Sequence, residues 1–350
     1  MDKAYRDLWP AYIETEAELD DLLSTPSPDL IASLADLSGD IAILGVAGKM
    51  GPTLALLARR ALDAAGNPAR VYGVSRFSSP AARGALEAAG VQTLPCDLLD
   101  RDAVGRLPDA PYVIHMAGRK FGSTGSEELT WAMNAYVPAI VAERYRDARI
   151  VTFSTGNVYD LTPIAQGGAR ESDATRPIGE YAQSCLGRER ILQYFSRRNG
   201  TPMTLLRLNY AVELRYGILL DIAQKIAAGQ PVDLTMGNVN VIWQGDANAT
   251  ALRCLALAAS PPDIINVTGP ETVSVRGVAQ RLGCLLDREP LLVGTEAPTA
   301  LLSNAGRAHA LFGYPSVSLE TLLRWVAHWV TIGGPTLDKP THYERRDGKF

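Results

Sequence analysis

The densest chemical signal in the chain is Gly45-Val46-Ala47-Gly48-Lys49-Met50-Gly51. Glycines at 45, 48 and 51 permit a tight turn and a close backbone approach, and a helix predicted from Pro52 to Ala65 would turn unpaired N–H groups toward an anion. That is chemistry for a dinucleotide pyrophosphate, with Met50 inside the loop. Lys49 reads equally as a phosphate neighbour or as a solvated first-turn lysine. Ser75-Arg76 ends the second predicted strand, where an acidic residue would hold a ribose 2′-hydroxyl. Arg76 could instead pair bidentately with a 2′-phosphate, so the cofactor leans to NADP, with NAD possible, while an arginine lying on the surface is the plain alternative. Asp97-Leu98 could reach an adenine amino group, although a helix N-cap explains Asp97 as well.

Other chemistries lack their residues. Four cysteines (Cys96, Cys185, Cys254, Cys284) stand far apart without a C-x-x-C, and His115, His309, His328 and His342 make no H-E-x-x-H, so neither disulfides nor a metal site is expected. The 34 basic and 38 acidic residues leave a net charge of −4, which argues against a nucleic-acid partner. Met1 to Asp7 lacks the basic-then-apolar order of a signal peptide, and no apolar run nears the roughly 18 residues of a membrane helix. The expectation is a cytoplasmic protein with no membrane partner.

Elements must hold the loop and its neighbours in place. With 350 residues and 47% hydrophobic composition, the chain suits one α/β unit with a second lobe. β-branched runs at Ile41–Leu44, Val71–Val74, Val91–Leu94, Tyr112–His115, Ile150–Phe153 and Met203–Leu208 alternate with helical segments, which predicts an α/β fold built on a doubly wound parallel sheet. Residues 1–38 read as an N-terminal helical arm, with Ser27 capping a helix that starts at Pro28. The dinucleotide-binding domain spans 39–206, with 235–260 packing back on it. A smaller C-terminal α/β substrate lobe takes 207–234 and 261–334, where proline and glycine turns shorten the pieces. Residues 335–350 read as a polar, solvated tail, with a partner-binding or site-covering segment as the alternative.

These residues resemble the extended short-chain dehydrogenase/reductase family, of the NAD-dependent epimerase/dehydratase type. The likeness runs from about Gly39 to Val330. It rests on the glycine loop, Asp97-Leu98, His115-Met116-Ala117-Gly118, Asn134, Ser154-Thr155-Gly156-Asn157-Val158-Tyr159, Tyr181 and Asp246. The resemblance implies a Rossmann-type fold, a cofactor site that includes Met116, Ala117, Gly118 and Asn134, and a catalytic pair in Thr155 and Tyr181. Hydride transfer at carbon needs proton transfer at oxygen, which such a hydroxyl pair supplies. A helix cap or strand-end hydroxyl for Thr155 and a half-buried ring for Tyr181 are the structural alternatives.

One member is missing, because the family's Y-x-x-x-K stands here as Tyr181-Ala182-Gln183-Ser184-Cys185. Cys185 reads as a small buried thiol behind the nicotinamide ribose rather than a thiolate. Lys120, beyond the fourth strand, is the best placed substitute for the absent cation, and Arg188 is the second. Gly156-Asn157 departs from the acidic pair of the 4,6-dehydratases, which argues against that chemistry. For a carbohydrate-like substrate the family points to Asn209, Arg215, Tyr216 and Trp243, with interlobe packing an equal reading of Arg215 and Trp243.

The expectation is an NAD(P)-dependent oxidoreductase or epimerase acting on a sugar, sugar acid or sugar nucleotide. The alternative is a non-catalytic NADP(H)-binding sensor or scaffold. The family also implies a homodimer through a four-helix bundle, for which Val137, Ala139, Ile140, Ala142, Leu186, Ile191 and Leu192 offer apolar surface, burial within the monomer being their other use.

Overall fold

Largely apolar on both faces, the central predicted strands meet the requirement of a parallel sheet covered by helices on each side. In a computed structural model, which describes residues 9–120, 122 and 125–349, they are β1 (Ile41–Leu44), β2 (Val71–Ser75), β3 (Gln92–Pro95), β4 (Tyr112–His115), β5 (Arg149–Thr155) and β6 (Met203–Leu208), joined by β7 (Asp263–Val267). The order is β7-β6-β5-β4-β1-β2-β3, and all its pairings are parallel. β1 pairs with β2 on one side and β4 on the other, Leu44 opposite His115. The strand order reverses there, and a crevice opens beyond the carboxyl ends of β1 and β4.

β7 corrects the expected boundary, which gave 261 onward to the lobe. Its Ser-Pro-Pro and Gly-Pro flanks read as lobe turns, yet Ile265 and Val267 are buried in the sheet's core and the strand lies against β6. A helix at Gly306–Phe312 also packs there through Ala308. The segment 235–260 divides: Gln244–Arg253 lies on the first sheet helix (Gly51–Ala64), whereas Met236, Val239, Val241 and Trp243 enter the lobe core. Helices Ile218–Ala227, Val275–Leu286 and Leu319–Thr331 build that lobe.

The N-terminal arm bridges the two cores. Its first helix, Glu16–Leu23, buries Leu19 and Leu23 in the lobe, and its second, Pro28–Ala35, buries Leu30 and Leu34 beside the sheet. Ser27 caps the second helix as predicted, accepting from the Leu30 N–H at 3.2 Å.

The C-terminal residues are not a solvated tail but a strap across the lobe. Thr341 donates from N and Oγ1 to Asp221 Oδ2 at 2.8 and 2.5 Å, and Arg346 donates to the Thr299 carbonyl at 2.7 Å. Tyr343, 1% exposed, is the apolar anchor that the polar composition conceals. At Gly348 (φ +71°) the strap meets Ile178, whose carbonyl would lie 2.2 Å from any added Cβ. Of the apolar residues offered to a dimer, Val137, Ile140, Ala142 and Leu192 take the other expected use and are buried in the monomer's core, while Ala139, Leu186 and Ile191 are only partly exposed. No described helix is long and apolar enough to cross a membrane.

Candidate active site

The glycine loop needs its glycines. Gly45 has φ +93°, and a Cβ there would stand 2.7 Å from Ala117 N, while at Gly51 it would meet the Val46 carbonyl at 2.1 Å. No side chain caps the following helix, which starts directly behind the loop. A cleft of about 310 Å³ there is lined by Gly45, Gly48, Ser75, Arg76, Asp97, Leu98, Met116, Ala117 and Gly118. This cradle fits a dinucleotide. Asp97 is exposed in the cleft and takes the Leu99 N–H, and the cap of the next helix is Asp100 instead.

Asn134 sits one layer deeper, fully buried, in a π-helical stretch (Ala132–Tyr136). Its Oδ1 accepts from Arg119 N and Arg188 Nη2, both at 2.8 Å, and its Nδ2 donates to the Arg119 carbonyl and Ser184 Oγ, both at 2.9 Å. All four capacities are used, so Asn134 is a brace for the turn at 118–120 and not a wall of the cleft. Arg188 completes the brace by donating to the Phe153 and Asn134 carbonyls, and its guanidinium fills the space a Cβ on Gly118 would need. Arg188 therefore does not take the missing lysine's place, although its charge counters the rise in the Tyr181 pKa.

Next to the cleft is a cavity of about 150 Å³ lined by Lys49, Lys120, Thr155, Asn157, Tyr181 and Asn209, among others. β5 delivers Thr155 at its carboxyl end, and the helix Gly179–Asn199 delivers Tyr181 in its first turn. Thr155 Oγ1 accepts from Asn157 N at 3.2 Å and Asn157 Nδ2 at 3.0 Å. Its own O–H is thereby directed to Tyr181, with which it is hydrogen-bonded. Asn157, within the Ser154–Tyr159 motif but with no role predicted from the sequence, is the orienting group.

Burial pushes the Tyr181 phenol well above its ordinary value, and the nearby Cys185 adds to the rise, against smaller opposing effects of Arg188 and Thr155. Tyr181 is thus a phenol at neutral pH. Cys185, 1% exposed and raised by burial, is the inert thiol beneath it. Lys120 Nζ lies 5.9 Å from the Tyr181 ring centroid. Burial lowers Lys120 to about 8, with Cys185 and Asp221 acting the other way.

Lys49 turns away from the Arg76 side of the cleft, its Nζ 3.1 Å from the Tyr216 ring centroid. Burial, and Lys120 beside it, lower Lys49 to about 7. Asn209 and Tyr216 line the same cavity. Arg215 and Trp243 do not. Arg215 is held by Glu213 at 2.9 Å and Asp20 at 2.7 Å, tying the arm to the lobe. Trp243, 1% exposed, packs edge-on against Trp325, which removes it as a sugar platform. Sequence reasoning also passed over Glu189. Its buried carboxylate takes Ser154 Oγ at 2.5 Å and the Arg207 fork at 2.9 and 2.6 Å, locking β5, β6 and the Tyr181 helix together.

No curated protein sequence matches the chain. Solved structures do. UDP-glucuronic acid 4-epimerase from Bacillus cereus, in complex with UDP-glucuronic acid and NAD, is 18% identical, covers 83% of this chain and 99% of its own, and has a TM-score of 0.69. UDP-glucose 4-epimerase from Thermus thermophilus, complexed with NAD, is 19% identical over 83% and 98%, with a TM-score of 0.67. Pal from Bacillus thuringiensis is 19% identical over 83% and 99%, at 0.68. At these identities the likeness is one of fold. The sequence itself matches a family model over residues 41–238, more than half its length, a stretch that takes in the glycine loop, Thr155 and Tyr181 together, and the chain belongs to the NAD dependent epimerase/dehydratase family.

Proposed function

We propose that the protein is an NAD(P)-dependent oxidoreductase or epimerase acting on a sugar, sugar acid or sugar nucleotide, with Tyr181 as its acid and base. The observation that carries this reading is the hydrogen-bonded pair Thr155–Tyr181 beside the glycine-loop cleft, with Lys120 against the tyrosine ring. Relatives described in complex with NAD and UDP-glucuronic acid support the same class. The residues from Gly45 to Gly118 that line the cleft would hold a nicotinamide dinucleotide, which when bound would supply the hydride donor or acceptor.

The chain's own groups handle the proton. Tyr181 gives its phenolic proton to a substrate oxygen, or recovers it in the reverse direction. The Thr155 O–H, kept in line by Asn157, and the Lys120 ammonium stabilise the phenolate left behind. Lys120 thereby does from a neighbouring loop what the lysine of Y-x-x-x-K does from the same helix. NADP is the favoured cofactor because Arg76 lines the cleft. Four free cysteines suit a reducing, cytoplasmic setting. A dimer through the helices around Asn134 and Tyr181 would rest on exposed Leu129, Tyr136 and Tyr194, and light scattering distinguishes it from a monomer.

Calorimetric titration with NADP(H) and NAD(H), followed by turnover assays on the Tyr181→Phe variant, tests the reading. Tighter binding of NADP(H) is expected, with turnover reduced about 10²- to 10⁴-fold and cofactor affinity unchanged in the variant. Undiminished turnover in Tyr181→Phe would remove Tyr181 from the chemistry.

A further inference from the structure

One space adjoins Tyr181, a second continues from it through Asn157 and Tyr210, and both are small. The cavity toward the lobe holds about 150 Å³. Past Asn157 and Tyr210 the continuation shrinks to about 20 Å³, because Arg345, Arg346 and Gly348 of the strap form its wall with Ile178, Met236 and Leu301. The strap is fixed at each side of its crossing, by Thr341 on Asp221 and by Gly348 against the residues just before Tyr181. Tyr210, which lines both spaces, is itself held at φ +40°, a backbone conformation rare for a bulky side chain. Sites for drug-sized ligands run roughly 300–1,000 Å³, and a sugar joined to a nucleoside diphosphate belongs in that range. A monosaccharide does not need it.

The charge of the cavity narrows the substrate further. Its described lining holds Lys49 and Lys120 and no carboxylate. No described carboxylate lies within ion-pair distance of Lys49, and Glu213, the acidic group it feels most, is engaged by Arg215. A half-buried ammonium resting on a tyrosine ring, in a cavity with no carboxylate in its described lining, is completed by an anion.

We infer that the substrate is a monosaccharide-sized molecule bearing an anionic group, a carboxylate or a phosphate, which Lys49 holds beside Tyr181 while the strap shuts out nucleotide-linked sugars. The inference rests on the functional reading above and narrows its substrate class. It also moves Lys49 from the cofactor to the substrate.

The test offers the full chain, with its cofactor, glucuronate and glucose 6-phosphate in one arm and UDP-glucose and UDP-glucuronic acid in the other. Calorimetry reads binding, and nicotinamide absorbance with proton NMR reads oxidation or epimerisation. One of the small anions should bind and react, the responding compound separating carboxylate from phosphate. Lys49→Gln should raise its KM roughly 10- to 100-fold, the value of a charge-assisted hydrogen bond, with the cofactor Kd and kcat unchanged. A small anion that binds without reacting, and more weakly in Lys49→Gln, would uphold the anion site and remove the functional reading. Turnover of a nucleotide sugar with the small anions inert would overturn the inference and leave the functional reading in place. So would a raised cofactor Kd in Lys49→Gln at constant substrate KM, which would return the lysine to the cofactor phosphates. Cofactor binding with no response to any of the four compounds would overturn both.

Discussion

Tyr181 and Lys120 come from different elements, and a reciprocal exchange probes their relation. Lys120 and Cys185 are close enough to be electrostatically coupled, so a lysine introduced at 185 would set two ammonium groups in one buried space. At an effective dielectric near 20, like charges about 4 Å apart repel by about 4 kcal/mol. Cys185→Lys alone should therefore lose turnover and lower Tm, and Cys185→Lys with Lys120→Met should regain much of both, since one ammonium then stands beside Tyr181. Turnover in the single variant equal to that of the parent would show that Lys120 does not occupy the vacated place. The cysteine could be read from the spacing, because i and i+4 share a helix face. That Lys120 lies against Tyr181 could not, since a loop sets its position and no periodicity fixes a loop.

The elements explain which parts of the site were legible. Six strands carry runs rich in apolar and β-branched residues, and each lies within a residue or two of where such runs predict it. β7 escaped because the proline turns on either side mark its stretch as lobe and its five residues include Asp263 and Asn266. That asparagine is buried, accepting from Tyr159 Oη at 2.8 Å and donating to the Ala169 and Asn304 carbonyls, a set of long-range partners invisible to local pattern. Glu189 was hidden for the same reason, since a glutamate on a polar helix reads as solvent-facing until Arg207 is found opposite. Side chains of both partners are at most 2% exposed. Removing one charge from such a pair strands the other, so Glu189→Ala should lose about 3–5 kcal/mol of stability, and Glu189→Leu with Arg207→Met much less. Urea denaturation measures both. A loss below about 1 kcal/mol in the single variant, the scale of an exposed pair, would show that the network does not lock these elements.

For the whole molecule, the informative feature is the arm, whose two helices are rooted in different cores, Leu19 and Leu23 in the lobe and Leu30 and Leu34 against the sheet. Arg215 and Asp20 add an ion pair across the same junction, and Arg60 reaches Asp21 from the sheet side at 2.6 Å. A lobe free to swing as a jaw would have to drag these leucines out of one core or the other, at roughly 1.5–3 kcal/mol for each side chain exposed. Hinge bending of the kind that closes many two-part enzymes around their ligands is thus pinned from behind. The radius of gyration from small-angle scattering should accordingly be the same with and without cofactor and substrate, and a contraction on binding would show the pin to slip. Ligands then enter a mouth of fixed width, and discrimination falls to the shape of the opening at rest rather than to a jaw that shuts after the right molecule has arrived.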